Sequence, residues 1–460
     1  MSSRAEQYIE SNRERFLEEL KAFLRIPSVS TLPEHKQDIE RASAFVAGKL
    51  RDAGMQKVER FQTAGHPLVY GEWMGAPGKP TVLCYGHYDV QPPDPLDEWI
   101  TPPFEPAVRD ENIYARGASD DKGQVYIHIK AVETLLKTAG KLPVNVKFLI
   151  EGEEEVGGAA VDTFVRQNPE LLKCEVALVS DTELFAPGLP TLCVGLRGLV
   201  YTELVAQGAA QDLHSGMYGG AAPNPLMGLI RIISQLVSPE HRVLIPGFYD
   251  EVQTPSPEEM ASWKRLPFDE KEFLNKEVGS ERLTGESGYS VLERLWARPT
   301  LEVHGFVGGF QGEGAKTVIP AKAAVKVSMR LVPNQDPEKI MAAYRQQVER
   351  LTPPGLRVTV NLLSAAEPIV MSTSHPHIQA AARALTATFG RETVYIRAGG
   401  SIPIVARFQD SLHVPVVLMG FGLPDDRLHS PNEKFHIPNF FLGIRAVTKF
   451  WEEMADGQSN

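Results

Sequence analysis

81-TVLCYGHYDVQPP-93 reads as a strand that ends in a site. Thr81 to Tyr85 is a short β-branched and apolar run, the composition of a buried strand. Gly86 is expected to let the backbone turn. The apolar pattern then breaks at His87-Tyr88-Asp89, and Pro92 and Pro93 close the stretch. A histidine and an aspartate two apart, just past a buried strand, sit where open α/β folds keep their ligands. In extended backbone, i and i+2 face the same side. Asp89 is thereby placed to hold the His87 imidazole from behind, as a carboxylate does for a metal-binding histidine.

The same punctuation recurs downstream. In 116-RGASDDKGQ-124 two aspartates follow a glycine turn, and 144-VNVKFLIEGEEEVGG-158 runs from a strand into glutamates. A further apolar strand in 176-VALVSDTELF-185 ends in Asp181, and 425-DDRLHSPNE-433 offers His429. One such motif is weak. Jointly they supply the nitrogen and oxygen ligands that zinc accepts. Two divalent ions at ~3.5–4 Å need a shared carboxylate, and Asp120 or Asp121 is the natural bridge.

Size and composition narrow the rest. At 460 residues the chain is too long for one ordinary core. Its net charge of −11 argues against nucleic acid and anionic membranes. No apolar stretch is long enough to span a bilayer. The N-terminal MSSRAEQYIESNRERFLEEL has no apolar signal-peptide core, so a cytoplasmic protein is expected. Cys84, Cys174 and Cys193 have neither metal-ligand spacing nor an even count for disulfides, which fits a reducing compartment.

Taken in order, helices are expected at 5–24, 33–53 and 122–138, with strands near 56–61, 67–71, 81–85, 144–150 and 176–180. This alternation predicts an α/β layer with a mostly parallel sheet. The character changes near residue 193. An alternating strand at 194–208, a helix at 223–237, a charged irregular passage at 241–300, strands at 301–306, 322–333 and 356–363 and a helix at 337–351 make an α+β unit. The expected organisation is a discontinuous α/β domain, 1–193 and 369–460, interrupted by an inserted α+β domain at 194–368. Closure of the insertion would exclude water from a bound substrate. The last residues, ADGQSN, are expected to fray. The run 309-GFQGEGAKT-317 resembles a phosphate loop, but Ala315 breaks the required spacing. Arg197, Arg330 and Arg397 read as ordinary surface charges.

The chain resembles the M20 metallopeptidases, within them the carnosinase-like and cytosolic nonspecific dipeptidase branch. The segments YGHYDVQPP, GASDDKG, EGEEEVGG, VSDTE, DLHSGMYGG, GAKTVIP, MRLVP, AGGSIPI and LHSPNEK carry the resemblance, in order and across nearly the whole chain. It implies an α/β catalytic domain holding two divalent ions, zinc first with manganese or cobalt as alternatives, and an inserted lid that also serves dimerisation. The metal ligands it implies are His87, Asp120, Glu155, Asp181 and His429. Asp120 is then the bridge, joined to Asp121 by a cis peptide. Glu154 is implied as general base, Asp89 as the carboxylate orienting His87, and His214 as an oxyanion donor reaching the partner subunit's site. Arg330, Thr317, Ser401 and the Gly399-Gly400 backbone are implied to grip the free carboxylate of a short peptide. The activity so implied is hydrolysis of dipeptides or short peptides. An N-acyl-amino-acid amidohydrolase with the same metal chemistry is the alternative, and a noncatalytic binding protein the third reading.

Overall fold

The computed structural model describes residues 1–457. Residues 458–460, the end of the tail expected to fray, lie outside the described residues. The chain forms two compact units. The first comprises Met1–Val194, Met371–Ile396 and the chain from Pro403 onward; the second comprises Gly195–Val370 and Arg397–Ile402.

The first unit is built on a mixed sheet. Its strands lie in the order Lys57–Phe61, Leu68–Trp73, Asn145–Glu151, Thr81–His87, Val176–Val179, Val416–Leu418 and Thr191–Leu196. The inner strands, from Asn145–Glu151 to Val416–Leu418, run parallel. Antiparallel pairs flank them on both sides. The parallel strands are buried along their length, as expected where both faces of a sheet are covered. Helix Ile437–Asp456 packs against Pro376–Phe389 and Lys122–Ala139. Lys122–Ala139 is buried from Lys122 to Leu135, well beyond one apolar stripe.

Several local expectations change. The first helix divides into Ser3–Ser11 and Arg13–Leu24. Asn12 breaks it by leaving helical geometry and turning its side-chain amide onto the Tyr8 carbonyl, the competition with backbone bonding that disfavours asparagine inside helices. Helix Lys36–Ala53 ends at Gly54, whose φ of 102° suits a residue without Cβ. Gly86 is not a turn. It lies inside Thr81–His87, and its small size serves packing: a Cβ there would come 2.4 Å from Val125 Cγ2 and 2.6 Å from Asp121 Oδ2.

In the second unit an antiparallel sheet runs in the order Thr300–Gly308, Lys322–Leu331, Gly198–Gln207 and Arg357–Ala366. Val200, Leu204, Val325, Val327 and Met329 alternate onto one face and pack with Leu229, Ile232, Ile340 and Tyr344 of its helices. The passage 241–300 is more ordered than its composition suggests. It contains helices Pro257–Trp263 and Val291–Trp296, capped by Ser256 and Ser290, with Trp263 and Trp296 in edge contact.

Gly86→Ala would force Val125 or Asp121 to move and should destabilise the protein by about 1–3 kcal/mol. A lowered denaturant midpoint with unchanged secondary structure is expected, read by circular dichroism.

Candidate metal centre

His87 ends its strand beside Glu151 in the neighbouring parallel strand. Its backbone N–H donates to Asp121 Oδ2 at 3.2 Å. On the ring, Nδ1 lies 3.1 Å from the carbonyl oxygen of Asp89 and 3.3 Å from that residue's Oδ1. A carbonyl only accepts, so Nδ1 carries a proton and Nε2 is the ring nitrogen turned to the site. Nε2 is buried and 3.0 Å from Asp120 Oδ1, yet it has no hydrogen-bond partner. An aligned ring nitrogen without a proton partner is what a metal ligand requires.

Asp120 is the meeting point. One oxygen faces His87, and the other lies 2.9 Å from His429 Nε2. His429 Nε2 is also 3.3 Å from Glu155 Oε2. The ligand atoms of His87, Asp120 and Asp181 lie within 4.8 Å of one another, and so do those of Asp120, Glu155 and His429. Asp120 belongs to both groups, and its peptide to Asp121 is cis. Glu154 and Glu155 open the short turn Glu154–Val156 after strand Asn145–Glu151. The Asp89 carboxylate does more than face His87, since its Oδ2 accepts the N–H of Glu155 at 3.2 Å.

Two supporting residues escaped the sequence reading. Gln91 Nε2 donates to Glu155 Oε2 at 2.8 Å. Glu433 is fully buried and accepts from the backbone N–H of Gly117, Ser119 and Asp120. Both lie inside quoted motifs, but neither has the ligand spacing that drew attention to their neighbours.

The ionisation states describe a cluster of competing negative charges. Burial, reinforced by Asp120, pushes Asp181 up to about 7. Burial also drives Glu154 well up, opposed by His87 and reinforced by Asp181, Glu155 and Asp120. Asp121 rises by burial and by Asp181. Burial alone would raise Asp120, but a hydrogen bond from His429 and the adjacent His87 imidazole hold it below the usual carboxylate range. Hydrogen bonding to Asp120, then to Glu155, lifts His429 to about 10. Divalent cations would relieve this repulsion, and the mixture of imidazole and carboxylate donors suits zinc, manganese or cobalt. The residues therefore fit a two-metal site with Asp120 between the ions.

The remaining candidates lie in the second unit and form two groups. His214 is exposed on a short ladder with Val318, its Nδ1 accepting the N–H of Gly216 at 3.0 Å. Thr317 is also exposed, and its carbonyl accepts from Ser215 N at 3.1 Å. Separately, Arg330 Nη1 donates to Ser401 Oγ at 3.0 Å, in the loop that carries Gly399 and Gly400.

The profile of peptidase family M20/M25/M40 matches residues 83–453. The Cys-Gly metallodipeptidase dug1 of Schizosaccharomyces pombe is 32% identical, over 98% of this chain and 97% of that protein. The human Beta-Ala-His dipeptidase is 33% identical, over 98% of this chain and 92% of its own. Among solved structures, the M20 family metallo-carboxypeptidase Sso-CP2 from Sulfolobus solfataricus superposes with a TM-score of 0.87 at 33% identity, covering 96% of this chain and 99% of that one. With a carboxylate shared by two ligand groups and likeness running end to end, this chain is a metal-dependent peptidase that belongs to the M20/M25/M40 family, close to its dipeptidase branch.

Proposed function

We propose that this peptidase cleaves the amide bond of dipeptides and short peptides that carry a free C-terminal carboxylate, using two zinc ions. The observation that carries the reading is Asp120 shared by the His87–Asp181 and Glu155–His429 groups, with Glu154 beside them. His87 and Asp181 would hold one ion, Glu155 and His429 the other, and Asp120 both. Bound there, the ions supply Lewis acidity, which favours ionisation of water and polarises a carbonyl. Glu154 accepts the proton of the attacking water and later delivers it to the departing amine. A carboxyl held high by burial is suited to both steps. Asp89 orients His87. His214 donates to the developing oxyanion, and its exposure in the single chain is consistent with service in a partner's site. Arg330 and Ser401, with the Gly399-Gly400 backbone, grip the substrate carboxylate, and Thr317 adds a hydrogen bond. The fork of an arginine matches a carboxylate bidentately.

The working form in this proposal is a homodimer. Supporting it, Met217 beside His214 is 75% exposed, and Val307 on an edge strand of the second unit's sheet is 61% exposed. An apolar side chain left exposed on a sheet edge is open to cover by a partner. A cytoplasmic setting is favoured by the buried free cysteines. The net charge of −11 argues against nucleic acid as a partner, and among the described residues no helix is long and apolar enough to cross a membrane.

Chelation should abolish turnover of free dipeptides, and zinc, manganese or cobalt should restore it. On the reloaded protein, free dipeptides should exceed N-acetyl and N-succinyl amino acids in kcat/KM; the reverse order would assign the amidohydrolase activity. Glu154→Gln should keep its bound metal, measured by elemental analysis, while kcat falls about 10²–10⁴-fold. His214→Ala should lower kcat by about 10²–10³-fold with an unaltered unfolding midpoint. Sedimentation should give a dimer, and a fully active monomer would remove His214 from a shared site.

A further inference from the structure

Arg197 has no part in the reading above, and its sequence context suggests only a surface charge. Its surroundings suggest otherwise. It immediately precedes strand Gly198–Gln207 and is tied to the 399–401 loop three times. Arg197 N donates to the Gly400 carbonyl at 3.1 Å, and Nε donates to the Gly399 carbonyl at 2.9 Å. Ser401 Oγ donates to the Arg197 carbonyl. The guanidinium lies directly against the loop: a Cβ on residue 399 would come within 2.9 Å of Arg197 Nη2. Ser401 is also the residue that Arg330 holds, so both arginines act on one loop. Both also wall one cavity of about 610 Å³ within the second unit.

The charges are unbalanced at that wall. Two other arginines of this unit are neutralised at close range, whereas Arg294, in the same cavity, donates only to the carbonyls of Thr284 and Glu286. Arg397 makes a bidentate pair with Glu259 at 2.8 and 2.8 Å, and Arg298, in the same cavity, pairs with Glu286 at 2.7 and 2.8 Å. Arg197 and Arg330 have only neutral acceptors within the unit. Glu302 eases the Arg197 charge but forms no ion pair with it. Burial, and then the nearby Arg330, bring Arg197 down to about 10. Partly buried guanidiniums without a counter-ion are costly. An α-carboxylate fits, since its two oxygens can accept from more than one guanidinium.

We infer that Arg197 is the second guanidinium of the carboxylate clamp: it fixes the Gly399-Gly400-Ser401 loop through its backbone and Nε, and faces the substrate's α-carboxylate beside Arg330. The inference rests on the reading of Arg330 given above. It makes Arg197 a determinant of specificity for the free C-terminus, with no role at the metal centre.

The test compares Ala-Ala with its C-terminal amide on the zinc-loaded protein. Arg197→Gln should raise KM for Ala-Ala by about 10- to 100-fold, the loss of a charge-assisted hydrogen bond. It should shrink the preference for acid over amide by a similar factor, while kcat and metal content change little. Arg197→Lys keeps a charge but lacks the fork, and should recover only part of that preference. If the glutamine variant does not fold, the lysine variant carries the same comparison. A folded variant with the wild-type preference would overturn the inference, and so would equal losses on acid and amide, which would mark a purely structural residue. A wild-type protein that cuts dipeptides without favouring the acid would overturn the carboxylate reading of Arg330 itself, and this inference with it. A wild-type preference lost in Arg330→Gln but kept in Arg197→Gln would overturn this inference alone.

Discussion

The carboxylate of Glu433 sits with no exposed surface and accepts from Gly117 N at 2.9 Å, Ser119 N at 2.9 Å, Asp120 N at 3.1 Å and Arg116 Nη1 at 2.8 Å. Burying an ion costs several kcal/mol, and only dense hydrogen bonding offsets it. Those donors all come from the loop that presents Asp120. The loop therefore has one shape, dictated by a residue more than 300 positions away in sequence. The same segment fixes the other side of the site. Ser119 Oγ donates to Asp426 Oδ2, and Lys434 Nζ donates to Asp426 Oδ1 at 2.9 Å. His429 is thus held between two anchored positions. Its φ of 59° is left-handed, which is uncommon for a residue with a side chain and persists where the surroundings enforce it.

The sheet explains why these groups meet at all. His87 ends a parallel strand, the Glu154–Glu155 turn and Asp181 each follow one, and neighbouring parallel strands send their C-terminal ends to the same edge. The strands themselves are buried along their length, and the polar side chain beside His87, Glu151, is engaged by the hydroxyl of Tyr85. Gly86 shows how little slack exists, because even one methyl group would strike the helix behind the strand. Rigidity matters here since the carboxylates repel one another. A flexible frame would let them drift apart or toward solvent, whereas this one holds them together and leaves a cation as the remedy.

Much of this was legible in the chain because the relevant signals are local. An apolar β-branched run followed by histidine or acid marks a strand end at 87 and 181, whereas the choice of Asp120 over Asp121, and of Glu155 among its neighbours, came only with the family resemblance. What escaped depends on partners far away in sequence. Glu433 looks like one more surface acid until the Asp120 loop closes on it. Gln91 has no chemistry of its own until Glu155 lies beside it. The antiparallel strands flanking the parallel core carry no sequence mark that separates them from parallel neighbours. Within 241–300 the capping signals were present, with Ser256 before Pro257 and Ser290 three residues before Glu293. The helices are short, however, and they gain stability from the Trp263–Trp296 contact rather than from propensity.

The loop 397–402 illustrates a division of labour that composition could not reveal. Its flanking chain belongs to the first unit, yet its own bonds run to the second: Arg397 to Glu259, Gly399 and Gly400 to Arg197, Ser401 to Arg330. The proposed carboxylate grip is consequently complete within the second unit, while the metal-ligand groups are complete within the first. The buried Glu433 network holds Asp120 in place from within the first unit. The residues that place the ligands are in turn locked into a buried set of charges, Glu433 with Arg116 and Asp426 with Lys434.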